Sequence, residues 1–270
     1  MKVFDFNIHL PYLQEDDINA VIDNDLSLTT DGLIKGLARC KSKLERLEGA
    51  NFLLFNTDLF SSSVNSFVTI AKQYLSLVTY TALVDFRRSD LMSYLEKVKS
   101  QGAKAIMVNS YLQQISNQDF LKVGEACKYA EANKMVICID GSYGTSKMYN
   151  YDNLKLACFV SDLVTKVPIV IVHSGGLRVK EAMLLAFEKP NVWLDTSFSL
   201  PFYIGSSLEQ DYAFVYKKIG LERVVYGSDT PYLNSEKSIK TNLDFFHKYN
   251  FSQSDIKKIM HDNAMNLLNH

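Results

Sequence analysis

The feature that most constrains this fold is a series of short apolar segments recurring along the whole chain. Eight of them are rich in β-branched and aromatic residues: 3–8, 51–57, 76–84, 104–110, 135–141, 168–175, 192–197 and 223–229. After the first pair they begin about 25–33 residues apart, which is the length of one strand–helix unit. Most are apolar throughout rather than alternating, a pattern typical of parallel strands buried on both faces.

The segments between these runs carry helical periodicity. In 89–102, apolar residues share one face, Ser89 fits an N-cap and Gly102 follows the end. The stretches 117–134 and 252–268 have similar apolar faces, and the second begins at a serine cap. Eight strands alternating with helices in about 250 residues predict an α/β protein with a (β/α)8 TIM barrel, as one domain over 1–270. A doubly wound open sheet is the alternative, but its nucleotide-binding form lacks the glycine-rich motifs it needs.

Composition narrows the classes of function. The formal net charge is −1 and no run of Lys or Arg stands out, so neither nucleic acid nor an acidic membrane is an expected partner. No apolar stretch reaches the about 18 residues of a membrane span, and the N-terminus reads as a strand rather than a signal peptide. The four cysteines form no CxxC pair, which favours free buried thiols. We therefore expect a cytoplasmic protein with a small-molecule substrate; a homodimer is also compatible with the sequence.

Polar residues collect at the carboxyl ends of the predicted strands, where barrel enzymes hold their chemistry. Asn7 and His9 end the first strand, Asp140 the fifth, His173 the sixth and Asp229 the eighth. Two of the five histidines in the chain thus fall at strand ends. The structural alternative is that these side chains only hydrogen-bond neighbouring loops or cap the following helices.

Five segments in this order resemble the amidohydrolase superfamily, in its amidohydrolase-related (amidohydrolase 2) subgroup. They are DFNIH at 5–9, VIVHSGG at 170–176, NVWLDTS at 191–197, VVYGSDTPY at 224–232 and IMHDNAMNLL at 259–268. The resemblance implies a TIM barrel with a divalent metal at the strand ends. The family's ligands are a His-x-His on strand 1, a histidine on strand 5 and an aspartate on strand 8, while a strand-6 histidine binds a second metal or acts on the substrate.

The chain matches this pattern in part. His9, His173 and Asp229 stand where the family has its second strand-1 histidine, its strand-6 histidine and its strand-8 aspartate, but Asn7 and Asp140 replace histidines. The implied metal set, Asn7, His9, Asp140 and Asp229, has one nitrogen and three oxygens. Such a set leans toward Mn²⁺, Mg²⁺ or Ca²⁺, with looser binding of Zn²⁺. Without a metal, the two carboxylates are expected to crowd, so that one holds a proton or finds a cation.

The resemblance predicts hydrolysis of a lactone, ester or amide bond. A metal or Asp229 would activate water, and His173 would polarise the carbonyl or stabilise the oxyanion. The residues predicted to bind the substrate are Arg87, Arg88, Arg178 and Tyr143, because guanidinium groups bind carboxylates in a bidentate fork and a tyrosine-rich loop can line a pocket. A non-oxidative decarboxylase and a catalytically silent, ligand-binding barrel are the alternatives. An active barrel should keep a polar pocket at the strand ends, whereas a silent one should fill it with apolar side chains.

Overall fold

The structure of the chain, a computed structural model, describes residues 1–9, 37–38, 46–54, 64–142, 146–230 and 232–269. Within these ranges, eight parallel strands pair in sequence order from β1 to β8. Their bounds are Val3–Ile8 (β1), Leu47–Leu54 (β2), Leu77–Leu83 (β3), Ala105–Val108 (β4), Val136–Asp140 (β5), Ile169–Val172 (β6), Val192–Asp195 (β7) and Val224–Val225 (β8).

Backbone hydrogen bonds join the two ends of this sheet. The Phe6 N–H donates to the Tyr226 carbonyl (2.9 Å), the Asp229 N–H to Asn7 (2.8 Å) and the His9 N–H to Thr230 (2.9 Å). The segment after β8 therefore lies along β1 and brings the sheet close to a complete barrel. The predicted TIM barrel is confirmed.

Helices follow the strands on the outside of the sheet. The described helices are Val64–Ala71 (α1), Leu91–Ser100 (α2), Phe120–Ala132 (α3), Asn153–Leu163 (α4), Val179–Glu188 (α5), Ser199–Tyr203 (α6), Leu208–Ile219 (α7), Ser235–Lys248 (α8), Gln253–Lys257 (α9) and Asn263–Leu268 (α10). A π-helical turn, Lys258–Asp262, joins the last two. No described helix has the length and apolar character needed to cross a membrane.

Alternation along the strands separates the core into two layers. Ile106, Ile137 and Ile171 pack outward among the helices, whereas Met107 and Cys138 belong to a second cluster inside the barrel. Successive strand side chains point to opposite faces, so this parity also decides which polar strand-end residues face the interior.

The predicted elements differ from the observed ones mainly at their ends. Strand β2 begins at Leu47 rather than at residue 51, and helix α2 begins after Asp90 rather than at a Ser89 cap. Ser252 does cap the C-terminal helix, accepting a hydrogen bond from the Asp255 N–H (3.1 Å).

Cysteine burial follows the prediction in part. Cys127 and Cys138 are free buried thiols, but Cys158 is exposed on α4, where the helical stripe turns its side chain to solvent. Cys40 lies outside the described residues.

Candidate active site

Strand parity places several polar side chains at the carboxyl end of the barrel interior. Asn109 follows Met107 by two positions and Asp140 follows Cys138 by two, so both share the inward face of their strands. Asp195 ends β7 and is fully buried. Buried carboxyl and amide groups must find partners, and here they find one another.

The first pair joins the ends of β1 and β8. His9 Nε2 lies 3.2 Å from Asp229 Oδ1, and both side chains are about nine-tenths buried. The Asp229 backbone is left-handed, with φ of 61°, and its N–H is held by the Asn7 carbonyl at 2.8 Å. Tyr232 packs edge-to-face on the His9 ring, with ring centroids 4.9 Å apart. A non-glycine residue in left-handed backbone is strained, and such strain is concentrated at functional sites.

The second pair joins the ends of β5 and β6. His173 Nε2 lies 3.6 Å from Asp140 Oδ2, and that same oxygen accepts from Asn109 Nδ2 at 3.0 Å. The other Asp140 oxygen accepts from the Ser142 N–H at 2.8 Å and from its hydroxyl. Burial acts to raise the pKa of Asp140. The pKa is nevertheless lowered, because His173 binds the carboxylate and carries a positive charge, and because Ser142 donates hydrogen bonds to it.

The charge state of His173 follows from its surroundings. Burial disfavours the imidazolium. Three neighbours outweigh this effect and raise the His173 pKa to about 10: the charge of Asp229, the hydrogen bond and charge of Asp140, and the charge of Asp195. The carboxylates around it therefore favour the charged form of the His173 ring, which faces Asp140 from the end of another strand.

A third group, Asp195 and Ser197 at the end of β7, lies behind His173. The Ser197 hydroxyl contacts both Asp195 oxygens (2.9 and 2.8 Å) and His173 Nδ1 (3.0 Å). The Asn7 amide also points here, with Nδ2 at 2.9 Å from Ser197 Oγ and 3.4 Å from Asp195 Oδ2. Burial raises the Asp195 pKa to about 6, even though His173 and Ser197 favour its charge. Asp195 and Ser197 are a polar pair, two residues apart, at the end of a predicted strand, but no role was predicted for them from the sequence.

Tyr111 also lies at a predicted strand end, and no role was predicted for it. It follows β4, is partly buried, and its hydroxyl interacts with the side chains of Asn109 and Ser142. The Asp140 charge, together with burial, raises the Tyr111 pKa above its ordinary value. Tyr111 thus adds a neutral hydroxyl to the wall of the site.

The four residues predicted as metal ligands do not present the donor set of a zinc or manganese centre. Each carboxylate already contacts a histidine: Asp229 contacts His9, and Asp140 contacts His173. Asp140 also accepts three hydrogen bonds, one from Asn109 and two from Ser142. The Asn7 amide donates away from them, toward the end of β7. Across the described ranges, no three His, Cys, Asp or Glu side chains gather as a metal site. In this arrangement the four residues do not fit a bound metal, and the reaction proposed for the site depends on none.

The arginines predicted to bind a substrate carboxylate are engaged by the protein. Arg87 donates to Asp119 (3.1 Å) and to the carbonyl oxygens of Gln113 (2.7 Å) and Gln114 (3.2 Å). Arg88 and Arg178 have carboxylate partners as well.

The partner of Arg88 is close in sequence, and the partner of Arg178 caps the preceding helix, α4. Arg88 Nε lies 2.8 Å from Asp90, and Arg178 Nη1 lies 2.8 Å from the Asp152 carboxylate. All three guanidinium groups thus hold carboxylate or carbonyl partners within the protein. Tyr143 lies outside the described residues.

Comparisons with known proteins agree with this architecture. The sequence model of the amidohydrolase family matches residues 97–269. Among curated proteins no match is found.

Solved structures match over nearly the whole chain. An uncharacterised TIM-barrel protein from Bordetella bronchiseptica is 16% identical, with a TM-score of 0.73 over 100% of this chain and 99% of that one. A probable 2-pyrone-4,6-dicarboxylic acid hydrolase from Acinetobacter baumannii, with citric acid bound, is 15% identical, with a TM-score of 0.65 and 100% of both chains covered. A dihydroxybenzoic acid decarboxylase from Polaromonas, with bound manganese and the inhibitor 2-nitroresorcinol, is 13% identical, with a TM-score of 0.66 over 99% and 97% of the two chains. At these identities the similarity establishes the fold.

Proposed function

Because the chain belongs to the amidohydrolase family, we propose that its single domain, residues 1–270, is a hydrolase that cleaves a lactone, ester or amide bond of a small molecule. One observation carries this proposal: a carboxylate, Asp229, and an imidazole, His173, lie at the carboxyl end of the barrel, where the charge of Asp229 acts on the ring, and both have left-handed backbone. A base for water and a cation for the developing oxyanion are the two groups that acyl transfer needs.

In this proposal Asp229 is the general base. His9 Nε2 binds its Oδ1 at 3.2 Å, which leaves Oδ2 to take a proton from water. The resulting hydroxide adds to the substrate carbonyl carbon. When the bond to the leaving oxygen or nitrogen breaks, the proton on Asp229 passes to that atom, so the carboxylate is restored for the next turnover.

His173 supplies the positive charge. Its Nε2–H faces the same interior as Asp140 and Asp229, and it would donate to the carbonyl oxygen as that oxygen gains charge. Asp140 Oδ2, 3.6 Å from the same nitrogen, favours the charged form of the ring. A fixed cation in a buried site stabilises an oxyanion more than it does in water.

The charges of the site favour hydrolysis over decarboxylation. A decarboxylase must bind a substrate carboxylate, yet Asp140, Asp195 and Asp229 give the described centre three carboxyl groups. Arg87 and Arg178 already hold protein acceptors. We therefore propose a substrate whose scissile group is neutral, and treat decarboxylation as the competing outcome.

A silent barrel is disfavoured by the side chains at the centre. The residues that meet there are polar and buried, with 6% exposure for His9 and Asp229 and 7% for His173. Burying a charged side chain destabilises the fold unless the charge is paired, whereas an apolar filling carries no such cost. The aromatic neighbours Phe198 and Tyr232 stand at the side of the two histidines.

The assembly is a separate proposal. Leu184, Phe187 and Phe214 are exposed on the neighbouring helices α5 and α7, which supports a homodimer through this face. Light scattering of the purified chain should give two copies per particle, and one copy would contradict the proposal.

The test is a substrate screen with matched variants. Chelator-treated protein is incubated with lactones, esters, amides and aromatic carboxylic acids, and products are identified by mass spectrometry. We expect hydrolysis by the wild type and a loss of about 10²–10⁴-fold in Asp229→Asn, because the general base is removed. Asp244→Asn, which removes an exposed carboxylate paired with Lys240, is the control and should keep full activity. Release of CO₂ from an acid, with no hydrolysis of any neutral substrate, would favour the decarboxylase.

A further inference from the structure

The buried pair behind His173 determines which nitrogen of its ring can work. Ser197 Oγ lies 2.9 and 2.8 Å from the two Asp195 oxygens, 2.9 Å from Asn7 Nδ2 and 3.0 Å from His173 Nδ1. All four residues are buried, with Asp195 and Ser197 fully inaccessible. Ser197 therefore contacts no substrate, and its effect must pass through His173.

Counting donors and acceptors fixes the protons in this group. A hydroxyl has one hydrogen to donate and two lone pairs to accept with. Because the Asp195 carboxylate can only accept, the Ser197 hydrogen goes to it. The Asn7 amide nitrogen can only donate, so it fills one lone pair of Ser197. The remaining lone pair faces His173 Nδ1, which must then carry a hydrogen.

A second acceptor requires the same proton. The Ser197 carbonyl oxygen lies 3.2 Å from His173 Nδ1, and a carbonyl oxygen cannot donate. Two acceptors from one residue thus agree that Nδ1 is a donor. The nitrogen left for chemistry is Nε2, which is the atom on the side of Asp140.

Asp195 also holds the backbone of this histidine. Its Oδ1 accepts from the His173 N–H, and its carbonyl accepts from the Ser174 hydroxyl. His173 and Ser174 have φ values of 63° and 53°, a left-handed conformation that is unfavourable for residues with a Cβ. One buried carboxylate therefore restrains both the strained main chain and, through Ser197, the ring.

We propose that Asp195 and Ser197 are positioning residues that fix His173 with Nδ1 as a hydrogen donor and Nε2 toward the substrate, and that Asn7 serves this network. The role in catalysis rests on the proposed function of His173, whereas the proton position does not. Asn7 has thereby exchanged the position of a family metal ligand for that of a hydrogen donor to Ser197.

The experiment reads the proton directly. The full chain is labelled with ¹⁵N-histidine, and two-bond ¹⁵N–¹H correlation spectra are recorded. The chain has only five histidines, so His173→Gln assigns the signal. We expect the wild-type His173 Nδ1 to resonate as a protonated nitrogen. A wild-type His173 with an unprotonated Nδ1 overturns the proposal, whatever the enzyme proves to hydrolyse.

Variants then test the role of the network. In Asp195→Asn the new amide donates to Ser197, whose hydroxyl hydrogen then turns to His173 Nδ1. The ring should therefore lose its Nδ1 hydrogen, and with it the positive charge, and keep a hydrogen only on Nε2. We expect a loss of about 10³-fold in kcat with little change in KM, as for other histidines whose buried carboxylate is replaced by an amide.

Ser197→Ala keeps the backbone carbonyl as an acceptor, so a loss of only about ten-fold is expected. Ser161→Ala is the matched control, because it removes a buried hydroxyl from α4 that donates to the Cys158 carbonyl at 2.9 Å. It should leave both the spectrum and kcat unchanged. An Asp195→Asn variant with an unchanged His173 signal would contradict the proposal. A correct signal with no hydrolysis of any substrate would refute the proposed function alone.

Discussion

At the scale of single residues, the site is defined by how buried carboxyl groups are paired. Asp140 and Asp229 each face a histidine, while Asp195 faces a hydroxyl and an amide. A single exchange at any of these positions leaves a charge without its partner in a place closed to water, which costs far more than the loss of a surface ion pair.

The first prediction concerns the charge of His173. In His173→Gln the side chain keeps a hydrogen donor but loses the cation, so oxyanion stabilisation should fall while substrate binding persists. We expect kcat to fall by about 10²–10³-fold, the loss typical of removing one oxyanion donor. His247→Gln, on the exposed end of α8, is the control. Steady-state kinetics on a substrate from the screen would check this, and equal activities of the two variants would exclude His173 from the reaction.

The second prediction concerns Asp5, a buried carboxyl that accepts from the Ser228 N–H at 2.9 Å. Burial raises its pKa from 3.8 to about 7, against the opposing hydrogen bonds of Ser228. Because the folded state then binds a proton that the unfolded state has released, this group makes stability fall as pH rises from about 4 to 7.

Asp5→Asn keeps the shape of the side chain and removes the titration. The variant should therefore lose less stability than the wild type between pH 5 and 8, by up to about a few kcal/mol. Urea unfolding followed by circular dichroism at several pH values measures the difference. Parallel pH profiles for the two proteins would show that Asp5 does not titrate in this range.

At the scale of elements, the end of β8 depends on a close approach to its neighbours. A Cβ on Gly227 would lie 2.8 Å from the Asn7 Cβ and 3.0 Å from the Ser197 Cβ. Real side chains do not pack that closely, so only glycine lets the loop that carries Asp229 lie against β1 and β7.

The third prediction follows from this contact. Gly227→Ala should lower the free energy of unfolding by about 1–3 kcal/mol, the usual cost of overpacking. It should also cut activity, because Asp229 moves with the loop. Gly205→Ala is the comparison: its φ is 83°, so it costs about 1 kcal/mol of backbone strain, but nothing lies within 4 Å and activity should persist. Thermal unfolding and turnover of both variants would test this, and a fully active Gly227→Ala would contradict it.

The same elements show what the sequence could predict. Spacing and apolar runs were sufficient for the strand order, because buried parallel strands need little information beyond hydrophobicity and length. Strand ends were less accurate: β2 starts at Leu47, and β8 is only Val224–Val225. After Val225 the chain leaves regular strand pairing, and Tyr226 and Asp229 form backbone hydrogen bonds with β1. These are tertiary contacts, which a local sequence pattern does not predict.

The site residues could be predicted only in part, for a similar reason. His9, His173 and Asp229 were predicted because they end strands and match a family pattern, and they stay predictions. Asp195 and Ser197 also end a strand, but no role was predicted for them, because the role proposed here depends on contacts with residues 173 and 7, far away in sequence. For Arg87, chemistry suggested an anion clamp, and only the fold shows that two carbonyl groups and Asp119 occupy it.

At the scale of the whole molecule, we propose an amidohydrolase barrel whose own side chains supply the charges for hydrolysis. The fourth prediction is that purified protein contains far less than one zinc or manganese per chain and that chelators leave its activity intact. The double variant Asn7→His/Asp140→His, which restores two imidazoles, should bind zinc more tightly, since imidazole is a stronger zinc ligand than an amide oxygen. Elemental analysis of both proteins tests this. Stoichiometric metal in the wild type, lost on Asp229→Asn, would return the site to a metal centre.

The most direct test of the central claim follows the oxygen atom of water. A substrate from the screen is turned over in H₂¹⁸O in the presence of a chelator, and the mass of the acid product is measured by mass spectrometry. Hydrolysis by the wild type should place one heavy oxygen in the new carboxyl group, whereas Asp229→Asn should form almost no product. A product that has lost CO₂ and carries no heavy oxygen, or equal turnover by the two proteins, would contradict it.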